Sequence, residues 1–227
     1  MAGAPASCFR NDDSSTNGEE KFFSSIRANC KVIFDVGSRY DSIFQECKDA
    51  DVHYFDPVSP FLEKLKLVAK NKIAHFNPFG LSDEDAVLDY YPHVQSFLRR
   101  EVTVHAPANV EHSVLEVRRG DKYMADSKID VVDFMKIDTE GYELKVVKGF
   151  GDELQKVRVL QFEYGGTYID CNIKLQDVIT YLATQGFARF AYVSPDGLFA
   201  LPDVVVDHYT YCNIVCFNQK FDQPAMV

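Results

Sequence analysis

Short runs of consecutive apolar residues alternate with amphipathic stretches from about residue 19 onward. Phe22, Phe23 and Ile26 fall on one helical face. Val32-Ile33-Phe34 then runs apolar into Asp35-Val36-Gly37, the pattern of a strand buried on both sides. Val52 to Phe55 is a second such run, stopped by Asp56-Pro57, and Pro60 opens a helix with Phe61, Leu62, Leu65 and Val68 at helical spacing. Ile73 to Phe76, Phe134 to Asp138 and Val157 to Phe162 predict three further core strands. Leu144, Val147 and Phe150, and later Leu175, Val178, Ile179 and Leu182, predict two further helices. Phe190 to Val193 and Tyr211 to Phe217 read as the last two strands, joined through the turn signal Pro195-Asp196-Gly197. Strands separated by helices pair in parallel, so the expected fold is a doubly wound α/β sheet of seven strands with helices on both faces. The final strand has no helix before it and is expected to run antiparallel.

The pattern divides the chain into a flexible lead-in over residues 1–18 and one domain over 19–227, with an irregular insertion at about 84–131. Val87 to Tyr91 and Val114 to Val117 look like short strands inside that insertion. A 46% hydrophobic and 26% charged composition excludes wholesale disorder. No apolar run approaches the roughly 18–20 residues of a membrane span, and the first residues lack the basic start and apolar stretch of a secretory signal. A formal charge of 24 − 34 = −10 without a Lys/Arg-rich block argues against nucleic acid. A cytoplasmic protein is expected, with a small-molecule or glycan partner and neither nucleic-acid nor membrane contacts. Cys212 and Cys216 share a face of one predicted strand and read as buried core thiols.

In an open parallel sheet, ligands sit beyond the C-terminal ends of the strands. Asp35, Gly37, Asp56, Ser82, Asp83, Asp138, Glu140 and Glu163 all fall at or just past such ends. Asp56 ends the second strand, 19 residues after Gly37, where an acidic side chain can accept hydrogen bonds from both hydroxyls of a ribose. The loop Gly37-Ser38-Arg39-Tyr40-Asp41 holds one glycine, and there is no G-x-G-x-x-G and no P-loop. A nucleoside without phosphates fits better, and S-adenosylmethionine is such a ligand. Asp138, Glu140 and Glu163 also form a possible Mg²⁺ or Mn²⁺ site, which is not the favoured reading. His53 and His75 lie inside predicted core strands as satisfied buried imidazoles; His105 and His112, in the insertion, are alternative bases.

The segments Val32 to Gly37, Tyr54 to Pro57, Gly80 to Asp83 and above all Phe134-Met135-Lys136-Ile137-Asp138-Thr139-Glu140-Gly141-Tyr142-Glu143-Leu144 resemble the FkbM family of S-adenosylmethionine-dependent O-methyltransferases. Gln161 to Tyr164 resembles the family's fifth strand. The resemblance implies a Rossmann-like class I methyltransferase fold and methyl transfer to a hydroxyl, often on a sugar or polyketide. Cofactor contacts are expected from Asp35, Gly37, Ser38, Arg39, Asp41, Asp56, Pro57, Ser82, Asp83 and Asp138. Asp138 is the first choice of general base and Glu140 the second, although Glu140 can equally serve as a carboxylate offsetting the following helix dipole. Arg39 and Asp41 stand where the family usually has glycines. Arg39 is expected to pair with the cofactor carboxylate and Asp41 with its ammonium. A catalytically silent binding module and a nucleotide-cofactor oxidoreductase on the same sheet are the competing readings.

Overall fold

The computed structural model describes residues 4–105, 107 and 109–221. In chain order it contains α1 (Glu19–Ile26), β1 (Val32–Val36), β2 (Asp51–Phe55), α2 (Ser59–Val68) and β3 (Ile73–Asn77). Then come β4 (Gly80–Ser82), β5 (Ala86–Tyr90), β6 (Ser113–Arg119), α3 (Gly120–Asp126), β7 (Val132–Ile137) and α4 (Glu143–Phe150). The chain continues through β8 (Val157–Tyr164), α5 (Thr167–Asp170), α6 (Leu175–Thr184), β9 (Phe187–Ser194), β10 (Gly197–Ala200) and β11 (Cys212–Asn218).

The main sheet has the order β10-β9-β11-β8-β7-β1-β2-β3. Strands β3, β2, β1, β7 and β8 pair in parallel, and β11 inserts antiparallel between β8 and β9. The mostly parallel α/β sheet with an antiparallel final strand is therefore as expected, with one strand more than the seven anticipated. The eighth is β10: Gly197, at φ +130°, lets the chain reverse at once and pair antiparallel with β9. The Pro195-Asp196-Gly197 turn thus makes a local hairpin, and β11 arrives later. Residues 38–50, between β1 and β2, form turns in place of a helix, and they bury Phe44 and Cys47.

Alternation along the strands separates two cores. One face carries Phe34, Val36, Met135 and Ile137 against Met124 of α3, Val147 and Phe150 of α4, and Val178 and Leu182 of α6. The other carries Ile33, Val52, Phe134 and Val215 against Phe22, Phe23 and Ile26 of α1 and Leu62 and Leu65 of α2. The insertion contributes β5, β6 and α3, and its two strands join β4 in a three-stranded sheet of order β4-β6-β5. Residues 4–18, expected to be a flexible lead-in, lie against the sheet in this structure; residues 1–3 fall outside the described residues. Cys8 is buried, and the Arg10 N–H donates to the Tyr211 carbonyl at 3.0 Å.

The small sheet is seated on α4 by an approach that only glycine permits. A Cβ added at Gly149 would lie 2.0 Å from the Ser82 carbonyl oxygen. Gly149→Ala is therefore expected to destabilise the chain by at least about 1–3 kcal/mol, although alanine is intrinsically the better helix former by roughly 1 kcal/mol. Urea unfolding of the variant checks this, and an unchanged or raised midpoint would contradict the close packing.

Candidate functional site

Parallel register places a polar row inside the sheet. Asp35 of β1 pairs with Lys136 of β7, and Lys136 pairs with Gln161 of β8. Cross-strand partners share a face, here the α1 side. Lys136 Nζ donates to Asp138 Oδ2 at 2.8 Å and lies 3.9 Å from Glu19 Oε2 at the start of α1. The buried Glu19 carboxylate also accepts from Gln161 Nε2 at 2.7 Å, Asn17 Nδ2 at 2.7 Å and Asn213 Nδ2 at 2.9 Å. Burial alone would strip the proton from Lys136, but the carboxylates of Asp138, Glu19 and Asp35 outweigh it and hold the ammonium firmly charged. Burial likewise pushes Asp138 up, and the Lys136 charge and hydrogen bond more than reverse that, leaving it below the ordinary carboxylate range. For Asp35 burial prevails over Lys136 and the Ser42 hydroxyl, which donates to it at 2.5 Å, and its pKa rises to about 6.

A cavity of about 370 Å³ opens beyond the C-terminal ends of β1, β2, β7 and β8. Its floor is formed by Gly37, Asp56, Asp138 and Glu163, and its roof by Tyr90, Ser96, Phe97 and Arg100. Gly37, at φ +87°, brings the β1 loop so close to β7 that a Cβ would stand 1.8 Å from the Asp138 carbonyl oxygen. The Asp56 carboxylate accepts the N–H of Val58 at 2.8 Å through Oδ1 and that of Arg39 at 2.9 Å through Oδ2. Burial raises it to about 6 against those two bonds, and each oxygen keeps a second lone pair.

Continuing the Lys136–Gln161 register by two residues brings Asp138 opposite Glu163. Carboxylate oxygens of Asp138, Glu140 and Glu163 lie within 4.8 Å of one another. Burial and then the Asp138 charge raise Glu163 well above the ordinary range, and the same two causes raise Glu140 against the pull of Arg100 and Arg39. Glu140 sits at φ +54°, unusual for a residue with a Cβ. Its turn is held from both sides: Glu143 Oε1 accepts the N–H groups of Thr139 at 3.0 Å and Gly141 at 3.3 Å, and Ser96 Oγ donates to the Glu140 carbonyl at 2.8 Å. Glu143 is accordingly a buried brace, pushed up to about 7 by burial.

Of the anticipated residues, Gly37, Arg39, Asp56, Pro57, Asp138 and Glu140 meet in this cavity. Asp35 and Ser38 are buried behind its wall, because the strand alternation turns Asp35 toward Ser42 and Lys136 and Ser38 folds back on the Phe55 carbonyl. Asp41 is solvent-exposed on the loop, outside the cavity lining. Ser82 and Asp83 also miss the cavity, since β4 carries them to α4 and to Arg119, whose Nη1 donates to the Asp83 carbonyl at 2.7 Å. His105 and His112 are exposed and line nothing there. Sequence reasoning missed Arg100 and Ser96, which come from loops without periodicity, and Thr167 and Tyr211, which stand at the start of α5 and directly before β11.

A model of the methyltransferase FkbM domain matches residues 35–188, well over half of the chain, and the chain belongs to that family. No curated protein matches it. The solved methyltransferase FkbM from Methylobacillus flagellatus is 17% identical, with a TM-score of 0.48, over 83% of this chain and 44% of that one. The present chain thus spans under half of that protein's length. The plantazolicin methyltransferase BpumL, solved with SAH and a pentazolic desmethylPZN analogue, is 10% identical, with a TM-score of 0.50, over 92% of this chain and 86% of that one. The likeness to BpumL is one of fold.

The raised pKa of Asp35 carries a sign. Its folded value of about 6 exceeds the ordinary 3.8, so its contribution to stability is complete below about pH 4 and is lost as the pH rises through 6. Asp35→Asn cannot ionise, and its stability relative to the parent chain is expected to improve by up to about 3 kcal/mol between pH 4 and pH 8. Urea unfolding of both proteins across that range measures it; a difference independent of pH would contradict the burial of that charge.

Proposed function

We propose that the cavity binds S-adenosylmethionine and that the chain methylates a hydroxyl of a small molecule, a sugar or glycan. The observation that carries this reading is the seating of Asp56 at the cavity floor, its two backbone hydrogen bonds fixing a carboxylate with lone pairs to spare for a ribose diol. The residues fit the cofactor in other respects too. A volume of about 370 Å³ lies within the roughly 300–1,000 Å³ of cofactor sites. Five carboxyl side chains line it against two guanidinium groups, which suits a ligand carrying both a sulfonium and an ammonium. The FkbM membership and the SAH in the BpumL structure support the same cofactor.

When bound, the cofactor supplies a methyl group already activated on sulfur. The protein must then orient the acceptor hydroxyl and take its proton. Asp138, the first choice of base on sequence grounds, is held ionised by Lys136 and is correspondingly weak as a proton acceptor. Glu140, whose pKa is raised, is the better base, and Asp138 acts as a fixed negative charge beside it. Arg39 lines the same cavity and is placed for the carboxylate of the cofactor's amino-acid tail. Gln95 and Thr167 offer hydrogen bonds to a polyhydroxylated acceptor, with Tyr90 and Tyr211 as flat walls. The Lys136 ammonium already neutralises Asp138, so the three-carboxyl cluster requires no divalent ion.

Titration calorimetry with S-adenosylmethionine tests the binding: Asp56→Ala is expected to weaken it at least about tenfold, whereas Glu140→Gln leaves it nearly unchanged. With isotope-labelled methyl donor and a panel of glycosides, Glu140→Gln is expected to cut turnover by more than about tenfold, within the range of general-base catalysis. An unaffected Asp56→Ala titration would remove the cofactor assignment, and full turnover by Glu140→Gln would move the base.

A further inference from the structure

On the opposite face of the sheet from Lys136, and at the opposite ends of the strands from the cavity, three metal-ligating side chains converge. Asp51 and His53 are two residues apart on β2 and share a face, and His75 is the direct register partner of His53 on β3. Asp51 Oδ1 lies 3.5 Å from His53 Nε2 and 3.1 Å from His75 Nε2. Ligand atoms roughly 2.0–2.2 Å from a tetrahedral zinc are themselves roughly 3.3–3.5 Å apart, so these separations already match neighbouring donors on one ion. The two imidazole rings are stacked, with centroids 4.3 Å apart and planes 9° apart.

The second observation is the hydrogen bonding of the buried ring. The His53 side chain is 3% exposed, and its Nδ1 is 2.7 Å from the Tyr123 hydroxyl of α3. Yet His53 Nε2 and Asp51 Oδ1 are both fully buried without a hydrogen-bond partner. In the tautomer whose Nδ1–H donates to Tyr123, the Nε2 lone pair faces a carboxylate oxygen. Two buried acceptors aimed at each other are costly unless a cation stands with them. A metal-ligating histidine commonly has its second ring nitrogen fixed by such a hydrogen bond. The imidazoles expected to be satisfied core residues are thus a half-exposed ring on the edge strand and a buried ring with one nitrogen unsatisfied.

We propose that Asp51, His53 and His75 bind a borderline first-row divalent cation, zinc foremost, which clamps the edge strand β3 to β2. Two imidazole nitrogens and one carboxylate oxygen are the donor set of such ions, while hard magnesium prefers oxygen alone. His75 is 46% exposed, which gives the ion a path in and leaves its remaining position to solvent. The ligands lie about 10–16 Å along β2 from Asp56 at the cavity floor, three residues for His53 and five for Asp51 at about 3.3 Å each. The site does not depend on the methyl-transfer reading.

Calorimetric titration of the chelator-stripped full chain with zinc chloride tests this, with cobalt chloride followed by visible absorption as the second probe. One zinc per chain is expected, at micromolar affinity or tighter, with cobalt bands of a nitrogen-containing site. His75→Ala and Asp51→Asn alter partly exposed side chains; each is expected to weaken zinc at least tenfold and abolish the cobalt bands with an unchanged far-ultraviolet spectrum. Glu163→Gln, at the rim carboxyls, is expected to leave both unaltered. Absence of saturable binding, binding that survives His75→Ala and Asp51→Asn, or binding lost with Glu163→Gln would overturn the assignment.

Discussion

A lysine ammonium held inside the sheet, between Glu19 of α1 and Asp138 at the end of β7, is the interaction on which the site depends. A buried charge is tolerated only when paired and hydrogen-bonded, and here the pairing is supplied from both directions. Glu19 is itself held by Asn17, Gln161 and Asn213, so helix α1 and strands β7, β8 and β11 are tied to one another through a polar network in an otherwise apolar layer. The same ammonium sets the ionisation of the rim. Asp138 is held below the ordinary carboxylate range, and burial together with the Asp138 charge raises its neighbours Glu140 and Glu163. Three carboxyls within 4.8 Å thereby acquire different proton affinities, because the ammonium bonds only one of them while burial acts on all three.

Backbone geometry makes this proximity possible. Gly37 allows the β1 loop to touch the end of β7, and the Glu140 turn, in a conformation that costs energy for a residue with a side chain, is retained by Glu143 below and Ser96 above. Ser96 belongs to the insertion, whose sheet rests on α4 through Gly149. The roof of the cavity and the strained turn in its floor are thus parts of one packed unit.

Much of this was legible in the sequence. The apolar runs gave the parallel strands because residues buried on both faces leave an unbroken signature, and Asp56 and Asp138 were found because strand ends are where polar residues interrupt such runs. The spacing Lys136–Asp138 and Gln161–Glu163 already places both pairs on one face; what it does not fix is the register that sets them side by side. Ser82 and Asp83 show the limit. They follow a strand-like run, but that run belongs to a second sheet whose ends point to α4. Arg100 and Tyr211 were illegible because a loop residue reaches the cavity by tertiary packing alone. The extra strand β10 was hidden because a turn signal marks a reversal without saying which later strand the chain returns to.

The central claim is that the Lys136 ammonium holds Asp138 below the ordinary carboxylate range, while burial and the Asp138 charge raise Glu140 and Glu163 above it. Carbon-13 NMR titration of the chain, labelled at its aspartate and glutamate carboxyls, measures this directly. The account predicts that Asp138 titrates below its ordinary 3.8 while Glu140 and Glu163 titrate above their ordinary 4.5. Three carboxyls titrating together near those ordinary values, or Asp138 titrating above Glu163, would contradict it.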